Sequence, residues 1–259
     1  MRILLIISSH EMSKEFKKYI KIIKKKLINN FIKEEVEIDI CLINSNKEDE
    51  LNNYDDILKN IKYKFNSKNF KQYEKIVNVI NIINVNLYDW FIKIRPDLEL
   101  LEDINLDKIK ICDKNKINSR VRWYIGEHTN VKNGTSLKID EDCCWTNSYI
   151  YDNNINYIVP DDQIYFFHKT IAKKAFNILN IDDINEDCKK IYMNFNFKQD
   201  EPDNRWEIFF ISIKKKLQYG FFNQNEWFFK DILDYYNIKV NPIGFEVKLR
   251  NMESGDLII

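Results

Sequence analysis

The run RILLIIS at residues 2–8 constrains the fold more than any other stretch. Its centre, Ile3 to Ile7, is apolar without interruption, so neither face is left to water. A run this short and this apolar reads as a strand buried on both sides, interior to a mostly parallel sheet covered by helices. Ser8-Ser9-His10 follows as a polar turn, and Ser13 stands where a helix N-cap is expected. Beyond it Phe16, Tyr19, Ile20, Ile23 and Leu27 recur at helical spacing, with lysines on the other face. That lysine face could meet an anionic membrane surface. A solvated helix face is the plainer reading. VEIDICLIN alternates as a second strand, helical patterns are expected at about 48–62 and 68–86, and a strand runs from Trp90 to Arg95. Strand–helix–strand–helix order predicts an α/β fold with a mostly parallel central sheet flanked by helices.

From about 110 to 158 the pattern breaks into short pieces: RVRWYIG, SLKID and SYIYD. YIVPDDQIYFFHK then reads as an aromatic strand-like run, TIAKKAFNIL as a helix, and RWEIFFISIKKKLQYG and NEWFFKDILDYYN as the last helices. Gly220 and Asn237 are their expected stops. IKVNPIGFEVKLR is expected to close the fold as a strand. No internal repeat or linker calls for a second domain, so residues 1–259 are read as one domain.

Forty basic residues balance forty acidic ones, which gives no case for a nucleic-acid partner. The five cysteines have no metal-binding spacing and fit a reducing compartment better than a disulfide framework. The opening apolar run is too short for a signal peptide, and no window approaches a membrane span. A cytoplasmic or other intracellular location is therefore expected.

The chemistry concentrates in YDWFIKIRPDLEL, residues 88–100. Pro96 cannot donate a ladder hydrogen bond, so the strand should stop near Arg95. Asp97 then emerges past its carboxyl end, where parallel sheets carry their ligands. If the chain stays extended, Asp97 and Glu99 share a face and repel unless a cation joins them. A hard Mn²⁺ or Mg²⁺ ion holding a diphosphate suits such a pair, with Lys93 and Arg95 near the same phosphates. Asp140-Glu141-Asp142 and Glu201-Pro202-Asp203 are rival acidic sets.

YDWFIKIRPDLEL resembles the RPDL signature of glycosyltransferases of surface-polysaccharide synthesis, the WavE-like lipopolysaccharide group. RILLIISSHEMSKEF, NFKQYEKIVNVINIINVNLYDW, VPDDQIYFFHKTIAKKAFNIL and NEWFFKDILDYYNIKV are similar, in order, to that group's other segments. The resemblance implies a GT-A-like nucleotide-diphospho-sugar transferase fold, a nucleotide-sugar donor such as a UDP-sugar, and a glycan or polysaccharide acceptor. It places Asp97 and Glu99 at a metal–diphosphate site. Ser8, Ser9, His10, Lys93 and Arg95 fall on the donor side. Asp162 and Glu226 become candidate catalytic carboxylates, Asp162 as the base that deprotonates an acceptor hydroxyl. The chain departs from the pattern in its first loop, which carries Ser9-His10-Glu11 in place of an arginine, and at Phe166-Phe167-His168 in place of a glycine. His128 and His168 have no partners at metal spacing and are expected to be packed or solvated. A non-catalytic glycan- or partner-binding module on the same fold is the second reading. A metal-dependent phosphoesterase is the third, and it would need a denser carboxylate or histidine cluster.

Overall fold

A computed structural model describes residues 1–68, 72–125, 157–176, 229, 232–233 and 236–249. Strand β1 (Arg2–Ser8) is interior, as its composition requires. It pairs in parallel with β2 (Glu37–Asn44) on one side and with β4 (Trp90–Ile94) on the other. Strand β3 (Ile61–Asn66) extends the parallel half beyond β2. Beyond β4 lie β7 (Tyr157–His168), antiparallel to it, then β6 (Ile117–Ile125) and β8 (Val240–Pro242). The order is β3-β2-β1-β4-β7-β6-β8, with four of the six pairings parallel. The expected α/β architecture, a mostly parallel sheet flanked by helices, is the one observed.

The alternation of side chains divides β1 between two cores. Ile3, Leu5 and Ile7 pack with Phe16, Tyr19, Ile20, Ile23 and Leu27 of the helical run after β1. That run comprises a 3-10 turn at Lys14–Phe16, α1 (Lys17–Ile23), a π segment at Lys24–Ile28 and α2 (Asn29–Lys33). Ser13 caps it, accepting a hydrogen bond from the Glu15 amide. Leu4 and Ile6 face the other core, built on α3 (Gln72–Ile82) and α5 (Lys169–Ala175), which follows the short α4 (Leu106–Lys110) in the chain. Several lysines of the first helical run have local partners: Lys17 pairs with Asp56, and Lys24 and Lys26 donate to the carbonyls of Ile57 and Leu101. Among the described residues no helix is long and apolar enough to cross a membrane.

Three expectations need correction. The helix at 48–62 is instead a 3-10 turn at Glu48–Asn52, an irregular stretch, and the start of β3. IKYKFN alternates apolar and lysine residues with period two, which suits an exposed edge strand. The closing segment forms two short strands in different sheets: β8 joins β6, whereas β9 (Val247–Leu249) pairs antiparallel with β5 (Leu98–Leu100). Asp97 and Glu99 do not lie on one extended strand. The chain turns at Pro96-Asp97, and the Leu98 amide faces the Arg95 carbonyl at 3.4 Å. Asn237, by contrast, stops a helical turn as expected, with φ at 53° and the Ile238 amide bonded to the Leu233 carbonyl. SLKID, SYIYD, RWEIFFISIKKKLQYG and Gly220 fall outside the described residues.

Because β1 has no exposed face, Leu5→Ala should destabilise the protein by ~2–5 kcal/mol. Ile32→Ala, at a half-exposed position, should change stability by less than about 0.5 kcal/mol. Urea unfolding of the two variants checks the contrast.

Candidate functional site

The chain leaves β1 over one face of the sheet to reach β2, whereas α3, on the other face, leads from β3 into β4. Between β1 and β4 the winding therefore reverses. In open α/β sheets the crevice at such a switch point, outside the carboxyl ends of the strands, is where ligands bind. Ser8, Ser9 and His10 leave the end of β1 here, and Arg95 leaves the end of β4.

The loop after β1 is held in place. Ser8 is buried and its hydroxyl donates to Gln72 Oε1 at 2.9 Å. The Ser9 amide donates to the Ile43 carbonyl, and the His10 carbonyl accepts from the Ser45 and Asn46 amides. Lys75, fully buried on α3, donates to the Ser9 carbonyl at 2.7 Å and lies 3.2 Å from His10 Nδ1. Burial, then the neighbouring Lys93 and Arg95 charges, pull the Lys75 amine down to about 7. Burial also lowers His10, with Lys75 and Arg95 adding to the effect and Asp162 opposing it.

Lys93 projects from β4 onto the same face as Phe91, over the ring of Tyr165 at 5.5 Å. It is 1% exposed, and its Nζ has no hydrogen-bond partner among the described residues. Burial brings its amine down to about 8, while Asp162, Asp161 and Asp97 pull the other way. Arg95 Nε and Nη2 reach the two Asp97 carboxylate oxygens at 2.9 and 2.7 Å, a bidentate pair. Burial works against the guanidinium charge, but Asp97 outweighs it and holds Arg95 above its ordinary value.

On β7 the two adjacent aspartates differ. Asp161 is a fully buried clasp between strands: its amide donates to Ser119 Oγ, its Oδ1 accepts from the Gln163 amide, and its Oδ2 lies 3.5 Å from Arg120 Nε. Asp162 is half-buried, and its charge is felt by His10, Lys93 and Arg95. Asp97, Asp162, His10, Lys93 and Arg95 are thus gathered in one electrostatic neighbourhood. Glu99 lies apart on β5, opposite Lys248 of β9. Glu226, His128, Asp140, Asp142, Glu201 and Asp203 lie outside the described residues. His168 is packed, edge-on to Trp90, and its ring nitrogen caps α5.

The donor set does not fit a divalent metal as it stands. Both oxygens of Asp97 are engaged by a guanidinium, Glu99 is in a separate ladder, and the buried Lys93 ammonium lies close by. Among the described residues no three His, Cys, Asp or Glu side chains gather in a set able to hold an ion. The Asp97–Glu99 repulsion that a metal was expected to relieve does not arise, because Glu99 lies in a separate ladder and Arg95 neutralises Asp97. Lys75, Gln163 and Arg120 were missed from sequence. Lys75 had a readable signal, a charged residue on the apolar stripe that also holds Ile76, Val79 and Ile80.

No family model matches the chain, and no curated protein sequence matches it. Among solved structures, a Bacillus anthracis protein described as a glucose-1-phosphate thymidylyltransferase, in complex with sucrose, is similar at 9% identity and a TM-score of 0.45, covering 96% of this chain and 89% of that one. An active-site mutant of LgtC is similar at 11% identity and a TM-score of 0.40, covering 78% and 68%. A mutant Drosophila β-1,4-galactosyltransferase 7 in complex with manganese, UDP-Gal and xylobiose is similar at 13% identity and a TM-score of 0.34, covering 67% and 51%. Values this low carry no inference about the reaction.

The buried amine of Lys93 has a measurable consequence. Between about 8, its folded value, and the ordinary 10.5 it binds fewer protons in the folded protein than in the unfolded chain. Stability therefore rises with pH across that window. Lys93→Met keeps the stem and removes the charge. It should raise the melting temperature at pH 7 and flatten the rise between pH 8 and 10.5, as thermal unfolding followed across that range will show.

Proposed function

We propose that this chain is a glycosyltransferase that moves a sugar from a nucleotide-sugar to a glycan or polysaccharide acceptor. The observation that carries the reading is the convergence at the β1/β4 switch point of a pinned Ser8-Ser9-His10 loop, three basic side chains and a half-buried carboxylate. The RPDL resemblance supplies the substrate class. In this reading the donor diphosphate lies against the end of β4, and Arg95 contacts it. Lys75 and Lys93 set a positive potential from just below. Asp97 positions Arg95 through its bidentate pair.

When the glycosidic bond to the donor breaks, negative charge grows on the departing nucleoside diphosphate. Fixed positive groups aimed at that charge are worth most where water is scarce. Asp162 accepts the proton of the acceptor hydroxyl as the new bond forms, if the sugar inverts. Glu226 serves the acceptor side. Positioning Arg95 through a buried partner matters because a small displacement of a charge-stabilising group loses much of its effect.

The experiment is a panel of UDP-, GDP-, ADP-, CDP- and dTDP-sugars assayed for slow hydrolysis and for transfer to glycan acceptors. At least one donor should turn over. Asp162→Asn should lower the rate with that donor by about 10²–10⁴-fold, with donor affinity changed less than about threefold. If no donor on the panel binds or turns over, the reading is wrong. A fully active Asp162→Asn removes the base assigned here.

A further inference from the structure

We infer that the donor diphosphate is held by side-chain cations, Arg95 and Lys93 from β4 with Lys75 from α3, without a divalent metal ion. This rests on the nucleotide-sugar reading above and extends it. A metal in such a site has two electrostatic tasks. It joins carboxylates that would repel, and it offers positive charge to the phosphates.

Both tasks are already met by the protein. The Asp97 carboxylate is closed by Arg95 on both oxygens. The Asp161 carboxylate accepts from the Gln163 amide and lies beside Arg120. Lys93 and Lys75 then stand as further basic groups on the same face of the sheet, with Asp162 as a carboxylate neighbour of Lys93. An ion placed at Asp97 would have to displace a bidentate guanidinium and sit near the buried Lys93 ammonium. Like charges so placed disfavour it.

A second, independent observation points to an anionic ligand. An ammonium that is 1% exposed and makes no hydrogen bond among the described residues is costly to bury. Its neighbours on the sheet face are Phe91 and the rings of Tyr165 and Phe167, and Asp162, Asp161 and Asp97 offset its burial only in part. A phosphate oxygen reaching the strand ends would give Lys93 the partner it lacks. Gln163, also 1% exposed, sits two residues before Tyr165 on β7 and has an Oε1 with no partner among the described residues. It offers an acceptor to a donor hydroxyl beside that phosphate.

The test is isothermal titration of the full chain with UDP, GDP, ADP and CDP, in excess EDTA and again in Mn²⁺. At least one diphosphate should bind in EDTA, and Mn²⁺ should change its affinity less than about threefold. Lys93→Met should weaken that diphosphate by about tenfold or more while changing affinity for the matching nucleoside little, because the lost contact is to charge. Thermal unfolding of Lys93→Met, expected to be at least as stable as the natural chain, separates lost binding from lost folding. Binding that requires Mn²⁺ overturns the inference and leaves the nucleotide-sugar reading standing. Undiminished binding by Lys93→Met overturns the inference too. Absence of binding by every diphosphate, with and without Mn²⁺, overturns both.

Discussion

The fold depends on covering both faces of β1. Ile3 to Ile7 expose nothing to solvent, and a strand in that position needs a hydrogen-bonded neighbour on each edge and a helical layer on each face. The helical run from Lys14 to Lys33 supplies one layer, and α3 with α5 supplies the other. Reaching opposite faces from the same sheet is what reverses the winding between β1 and β4. The crevice is thus a by-product of satisfying one apolar strand.

Chemistry enters where β4 leaves that frame. Pro96 ends the ladder, and the turn returns the Asp97 carboxylate to the Arg95 guanidinium two residues away. The same turn sends Glu99 into a separate small sheet. A local backbone constraint therefore decides the electrostatics: one carboxylate is neutralised by its neighbour, and the other is removed from the site. What remains at the crevice is a set of basic groups with Asp162 among them, Lys75 holding the loop after β1 and Lys93 lying beneath.

The sequence is most legible where hydrophobic period and burial agree. β1, β2, the helix beginning at Ser13, α3, β4 and the aromatic strand β7 all follow from apolar spacing. β3 was hidden because its alternation carries lysines on the exposed side of an edge, and its neighbourhood also fits a helical count. The Asp97–Glu99 geometry was not legible, because a proline that ends a strand does not say whether the chain continues straight or turns. Arg95 as the partner of Asp97 could have been considered, since residues two apart around a turn face each other. Asp161 and Asp162 look alike in sequence; only the strand register makes one a buried clasp and the other part of the crevice. Glu226 and the acidic residues at 140–142 and 201–203 lie outside the described residues, so they remain sequence expectations.

The central claim is that a nucleotide-sugar occupies the crevice between the ends of β1 and β4. Hydrogen–deuterium exchange of the full chain, with and without a saturating donor that binds, tests it most directly. The account predicts added protection in the peptides spanning Ser8 to Met12 and Arg95 to Leu98, with little change at Ile61 to Asn66 on the far edge of the sheet. Protection confined to other segments, with those two unchanged, would contradict it.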